Sequence, residues 1–274
     1  MTTVRRRAFD GQTVLVTGAA GGLGRALALE FAAAGARIVA LDRDEPGLDS
    51  LRAELEGRVA ACFAAACDVT DAAACERAVA AGVERFGGLD VLVNNAGMSH
   101  RSALERTDLA VIRRVMEVNF FGAVNCAKAA LPALLAARGL VIAVSSVAGY
   151  TPLVARTGYA ASKHAMHGFF ESLRTEVERQ HVAVMMACPS FIATDIDRHA
   201  LGGDGRPARH AQVTVGKPLT AEHAADRIVE AAARRRRQVF VGRTAWQAWW
   251  LSRFAPGLYE RIMARRLRGE LQQS

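Results

Sequence analysis

The sequence predicts an α/β protein: a doubly wound parallel sheet covered by helices on both faces, three layers in all. Strand and helix patterns alternate along most of the chain. The strands are short and almost continuously apolar, as strands buried on both faces are. The first strand also runs into a glycine-rich turn that opens a helix. Taken in order, 13–17 reads as a strand, 23–34 as a helix, 37–41 as a strand, 46–56 as a helix, 59–65 as a strand, 71–86 as a helix and 89–93 as a strand. Two long helical stretches, 108–118 and 123–137, precede a strand at 140–144. A helix then runs to residue 180, and 182–187 is the sixth strand. The irregular stretch from about 190 to 218 is too long for an ordinary connection and reads as a lid. Residues 1–243 thus form one domain, and 244–274 a basic, Trp-rich extension of short helices split at Ala255-Pro256-Gly257.

Composition narrows the class. A chain of 274 residues can bury a sizeable core, and no run is long and apolar enough to span a bilayer. The basic start lacks the apolar centre of a secretory signal. Cys62, Cys67, Cys75, Cys126 and Cys188 are odd in number and contain no CxxC pair, so free thiols in a reducing cytoplasm fit best. His164, His167, His199 and His210 match no metal-site spacing, and no metal is expected. The net charge of +8 concentrates in Arg234–Arg237 and in Arg243, Arg253, Arg261, Arg265, Arg266 and Arg268. It reads as a solvated basic face, with an anionic partner as the alternative; nucleic acid is not expected.

The turn Thr17-Gly18-Ala19-Ala20-Gly21-Gly22-Leu23-Gly24 has the strand-then-helix context of a pyrophosphate cradle. Gly18, Gly22, Leu23 and Gly24 are its candidate contacts, with phosphates at the helix N-terminus. Asp42 ends the next strand, where a carboxylate bonds ribose hydroxyls and repels a 2′-phosphate. Arg43 beside it could instead accept that phosphate, so NAD is preferred and NADP is the alternative. Asp68 and Val69 are candidates for the adenine, and Asn95 in Asn94-Asn95-Ala96-Gly97 for the space beside the cofactor.

Further on, Tyr159 and Lys163 lie four apart in Gly158-Tyr159-Ala160-Ala161-Ser162-Lys163, sharing one helical face. A free phenol titrates near pH ~10, and an ammonium one turn away favours its ionised form. Ser146 could hold the oxygen of a carbonyl or alcohol while Tyr159 moves its proton. Its neighbour Ser145 points the other way.

TGAAGGLG at 17–24, NNAG at 94–97, Asn119 in Val-Asn-Phe-Phe-Gly, Ser146 and Tyr159-x-x-x-Lys163 stand in one order and spacing. Together they resemble the classical short-chain dehydrogenase/reductase family over roughly residues 10–242. The resemblance implies a Rossmann-like fold and four catalytic roles. Tyr159 is the acid/base, Lys163 binds the nicotinamide ribose and lowers the tyrosine pKa, Ser146 orients the substrate oxygen, and Asn119 holds a relay water. It also implies that Ile192 and Thr194 contact the nicotinamide carboxamide, although Ser190 stands where the family usually has Gly. A homodimer or homotetramer is implied, with the long helices at one interface.

The reading is an NAD(P)-dependent oxidoreductase that moves hydride between nicotinamide and a secondary alcohol or ketone. Leu153, Val154, Phe191 and the apolar tail suggest a hydrophobic substrate: steroid-like, lipid or aromatic. The alternative is an NADPH-dependent 3-oxoacyl thioester reductase, and a remoter one is a non-catalytic nucleotide sensor. Trp246, Trp249, Trp250, Phe254, Leu258 and Ile262 can make one apolar face of the tail. That face would pack on the parent domain or a second subunit, or lie in a membrane interface.

Overall fold

The computed structural model describes residues 8–58, 60–194, 196, 199–208 and 213–273. Val59, assigned to a strand from sequence, His210 and parts of the lid stretch lie outside them. Among these residues, β1 (Thr13–Thr17), β2 (Arg37–Asp42), β3 (Cys62–Ala66), β4 (Val91–Asn94), β5 (Leu140–Val144), β6 (Ala183–Pro189) and β7 (Gln238–Val241) form one parallel sheet. Its order is β3-β2-β1-β4-β5-β6-β7. The chain starts in the middle, winds to one edge, then returns and winds to the other. The reversal between β1 and β4 opens a crevice at the strands' carboxyl ends.

Side-chain alternation sends neighbouring strand residues to opposite cores. Val14, Val16, Ile38 and Ile142 pack beneath α1 (Gly22–Ala33), α2 (Glu45–Gly57) and α7 (Ala221–Ala233). Leu15, Val39, Leu92 and Val141 meet α3 (Ala72–Phe86) and two helices described below. Asp71 caps α3 by accepting from Ala74 N at 3.1 Å, and Gly87 ends it in the left-handed conformation at φ 78°.

The two stretches separated in the sequence are one helix: α4 (Leu109–Met116), a π turn at Glu117–Phe121 and α5 (Gly122–Ala137). Joined, Leu109–Ala137 is long and apolar enough to cross a membrane, with a mean hydropathy of 1.5 in its most apolar window. This corrects the sequence expectation that no run reaches that length. In the fold, α4 packs on α6 (Thr157–Glu176) and α5 packs on α3.

The end of the domain holds two elements that the sequence reading does not assign, α7 and β7, with the arginine run between them. Arg235, at φ 47°, donates to the carbonyls of Arg138, Gly139 and His181, so this basic residue works as a clamp across the strand ends. The tail forms α8 (Arg243–Phe254), α9 (Pro256–Arg266) and a third helix, α10 (Arg268–Gln273). Tyr259, Met263 and Leu267 build a small core with Leu153, Val154, Val213 and Val215.

Candidate active site

The carboxyl ends of the central strands open on a cleft of 670 Å³. Gly18, Gly22, Leu23, Asp42, Arg43, Asp68, Val69, Asn95, Ser146, Tyr159, Lys163, Ile192 and Thr194 all line it. Of the catalytic and cofactor candidates, Gly24 and Asn119 stand behind the wall, and of the apolar candidates for the substrate Val154 turns to the tail's small core. A Cβ at Gly24 would come within 1.9 Å of Gly18 O, so its hydrogen lets α1 close on the turn.

A dinucleotide fits this wall. Gly21, the residue before α1, offers no capping side chain, and the first turn holds no acid. The first amides of α1 are therefore available to an anion. Gly22 takes φ 52° and lies against Thr194. Asp42 accepts from Ala20 N at 3.0 Å through one oxygen and from Asp44 N at 3.1 Å through the other. Its carboxylate is thus held still at the end of β2 and retains lone pairs for hydroxyls. Asp68 is more committed: its Oδ1 accepts from the amide and hydroxyl of Thr70, and its Oδ2 lies 3.8 Å from Arg114. The Thr70 amide, above all, holds this carboxyl below its usual range. Asn95 ties β1 to β4, with its side-chain NH₂ on Thr17 O and Gly18 O and its amide on Thr17 Oγ1.

Tyr159 and Lys163 rise from the first turns of α6 into the same cleft, with the ammonium 5.9 Å from the phenol ring centre. Lys163 is buried and donates to Val144 O at 2.9 Å. Burial lowers its pKa to about 8. Ser146 Oγ accepts from Ala148 N at 3.2 Å, which leaves its own hydrogen for a ligand. Ser145 also lines the cleft, while its hydroxyl is buried near Gly149 and His167.

Asn119 is fully buried in the π turn. Its side-chain oxygen accepts from Met98 N, and its NH₂ donates to Met98 O and to Ser162 Oγ, which in turn donates to Tyr159 O. With both hydrogens spent, this side chain is a brace behind Tyr159. His100 is a second brace, and sequence reasoning missed it. It is fully buried and accepts from Gly158 N at 2.9 Å, fixing the start of α6. Burial, then the nearby Arg156, lowers its pKa to about 4.

Sequence reasoning also missed Arg156. It lines the cleft with Met98, Leu153, Phe191, Ile196 and His199, yet is 4% exposed. Its guanidinium lies 3.6 Å from Glu270 of α10, itself 1% exposed, and Glu270 also accepts from Val213 N at 2.6 Å. The tail therefore clasps both the lid stretch and the loop before α6. His164 and His167 bond to Ala160 O and Glu171. Among the described residues no group of three His, Cys, Asp or Glu side chains could hold a metal.

The sequence profile of the short chain dehydrogenase family matches residues 12–202. The chain is 38% identical to dehydrogenase/reductase SDR family member 7B of Bos taurus, over 97% of this chain and 85% of that protein. It is 34% identical to the SDR family protein 7-like of Anopheles gambiae, over 95% and 84%. A short-chain dehydrogenase/reductase from Burkholderia phymatum, solved with NAD, superposes with a TM-score of 0.81 at 27% identity, over 92% of this chain and 96% of that one. A short-chain dehydrogenase from Streptomyces avermitilis gives 0.80 at 28% identity, over 94% and 97%. The chain belongs to the short-chain dehydrogenase/reductase family and is an NAD(P)-dependent oxidoreductase acting on CH–OH groups.

Proposed function

We propose that this enzyme interconverts a hydrophobic secondary alcohol and its ketone, with NAD as the preferred partner. The observation that carries the reading is the meeting of Tyr159, Lys163 and Ser146 with the uncapped start of α1 in one cleft. A bound nicotinamide ring supplies the carbon that takes or gives the hydride. The amides of Gly21, Gly22 and Leu23 would hold the pyrophosphate, Asp42 the adenosine ribose, and Ile192 with Thr194 the carboxamide. Tyr159 Oη moves a proton to or from the substrate oxygen, and the Ser146 hydroxyl donates to that same oxygen. Lys163 favours the ionised phenol and has a remaining N–H for the nicotinamide ribose. Met98, Leu153, Phe191 and Ile196 favour an apolar substrate body and exclude water from it.

The preference for NAD rests on Asp42, whose clamped carboxylate repels a 2′-phosphate. A second reading, NADPH-dependent reduction of a 3-oxoacyl thioester, is favoured by Arg43 and Arg114, which line the same side. Titration with NADH and NADPH, followed by nicotinamide fluorescence, tests the two. Tighter NADH binding supports alcohol oxidation, tighter NADPH binding replaces it with thioester reduction, and binding of neither overturns both. For assembly we infer a homodimer or homotetramer, with exposed Leu109 on α4 and Phe121 in the π turn on its interface; light scattering of a Phe121→Glu variant tests that. The five free thiols support a reducing, cytoplasmic location.

A further inference from the structure

The tail divides its apolar side chains between two faces. Trp249 packs on Phe240, and Tyr259, Met263 and Leu267 are buried against the parent domain. Trp246, Trp250, Phe254 and Leu258, spaced four apart, instead face outward at 53%, 44%, 65% and 51% exposure. The first three form one ridge: Trp246 and Trp250 are 6.1 Å apart between ring centres, and Trp250 stacks on Phe254 at 4.4 Å. Single exposed apolar residues need no explanation, but a contiguous aromatic ridge does.

Charge selects the occupant. Arg243, Arg253, Arg261, Arg265, Arg266 and Arg268 are all exposed on the same three helices. Of the tail's two acids, Glu270 is buried against Arg156, which leaves Glu260 as the exposed one. A second copy meeting this ridge about a twofold axis would set arginines against arginines. An anionic lipid surface complements both features, because indole rings settle at the headgroup boundary and guanidinium groups meet phosphates. We propose that the outer face of α8 and the start of α9 docks on anionic bilayers, with Trp246, Trp250, Phe254 and Leu258 entering the interface. The inner face of the same tail backs Leu153 on the cleft wall. Docking therefore holds the substrate side beside the membrane, which suits the lipophilic substrate proposed above. The ridge and its arginines would meet an anionic bilayer whatever the substrate.

The test is co-sedimentation of the full chain with vesicles of phosphatidylcholine alone and of phosphatidylcholine mixed with phosphatidylglycerol. Binding is expected on the mixed vesicles at low salt, with a blue shift of tryptophan emission, and should fall at high salt. Trp246→Ser/Trp250→Ser/Phe254→Ser should abolish it while NADH binding and the melting curve are retained. Arg253→Glu/Arg261→Glu should lower partitioning by about tenfold or more. The arginine pair decides the matter if the triple variant does not fold. No binding to mixed vesicles, or variants that bind like the parent, would overturn the proposal. So would light scattering in which the ridge variant loses an assembly that the parent forms without lipid, since the occupant would then be a second copy.

Discussion

Replacing Glu270 by alanine tests whether the tail is part of the substrate site. The change deletes a carboxylate that is 1% exposed, leaving Arg156 without this counter-ion and Val213 N without its acceptor. Breaking a buried ion pair costs about 3–5 kcal/mol, because the remaining charge stays desolvated. The orphaned amide adds about 1–3 kcal/mol. Against this stands the cost of releasing the tail, which would expose Tyr259, Met263 and Leu267 at about 1.5–3 kcal/mol each. The two costs are of similar size, so the variant should relieve itself by local detachment of the tail rather than by global unfolding. Limited trypsin digestion reads this directly, because Arg261, Arg265, Arg266 and Arg268 are exposed sites. Tail cleavage should speed up by about tenfold or more, with only a small shift of the main melting transition. Glu270→Gln keeps an oxygen for Val213 N and should fall between the two. KM for substrate should rise more than kcat falls, since Arg156 and Leu153 line the cleft. Equal cleavage rates in the parent and Glu270→Ala would refute the clasp.

Other substitutions probe the remaining parts of the site. Tyr159→Phe should reduce kcat by roughly 10²–10⁴-fold with NADH affinity retained; comparable loss of binding in the fluorescence titration would mean the ring serves structure instead. Asp42→Asn should weaken NADH by about ten- to a hundredfold and strengthen NADPH, and an unchanged affinity ratio would count against the ribose assignment. His100 ties acid sensitivity to the start of α6. Its pKa drops from 6.5 to about 4 in the fold, so between those values the unfolded chain binds the extra proton. Stability should therefore fall as pH drops from 6.5 toward 4, by about 3 kcal/mol in all. Urea unfolding of His100→Asn across that range should lack this component; an unchanged slope would exclude it.

The glycine turn and Asp42 were readable as neighbours on one cleft because each is written in contiguous residues. The turn at 17–24 carries its own glycines, and Asp42 closes the apolar run of its strand. Tyr159 and Lys163 are one turn apart, and that spacing holds in α6. The parts that escaped depend on distant partners. Nothing local marks Glu270, set among arginines, as the counter-ion of Arg156 more than a hundred residues earlier. His100 follows a strand end, and its meeting with Gly158 N is created only when α6 docks. β7 has four residues and follows four arginines, so its short apolar signal was hidden by the charge beside it. The tail's apolar residues were recognised as a set, but their division between two faces is a matter of packing.

The π turn sets a rule for which length changes this chain can survive. It holds one residue more than an α-helical turn, and each helical residue turns the axis by about 100°. The wider π turn takes up that extra rotation locally, so a single deletion between Met116 and Gly122 would restore regular hydrogen bonding with α4 and α5 still facing their own cores. What the deletion removes is the bulge that carries Asn119 to Met98 and Ser162 behind Tyr159. In a deletion scan, the stretch 117–121 should therefore spare the fold and lower activity, although of its side chains only Val118 lines the cleft.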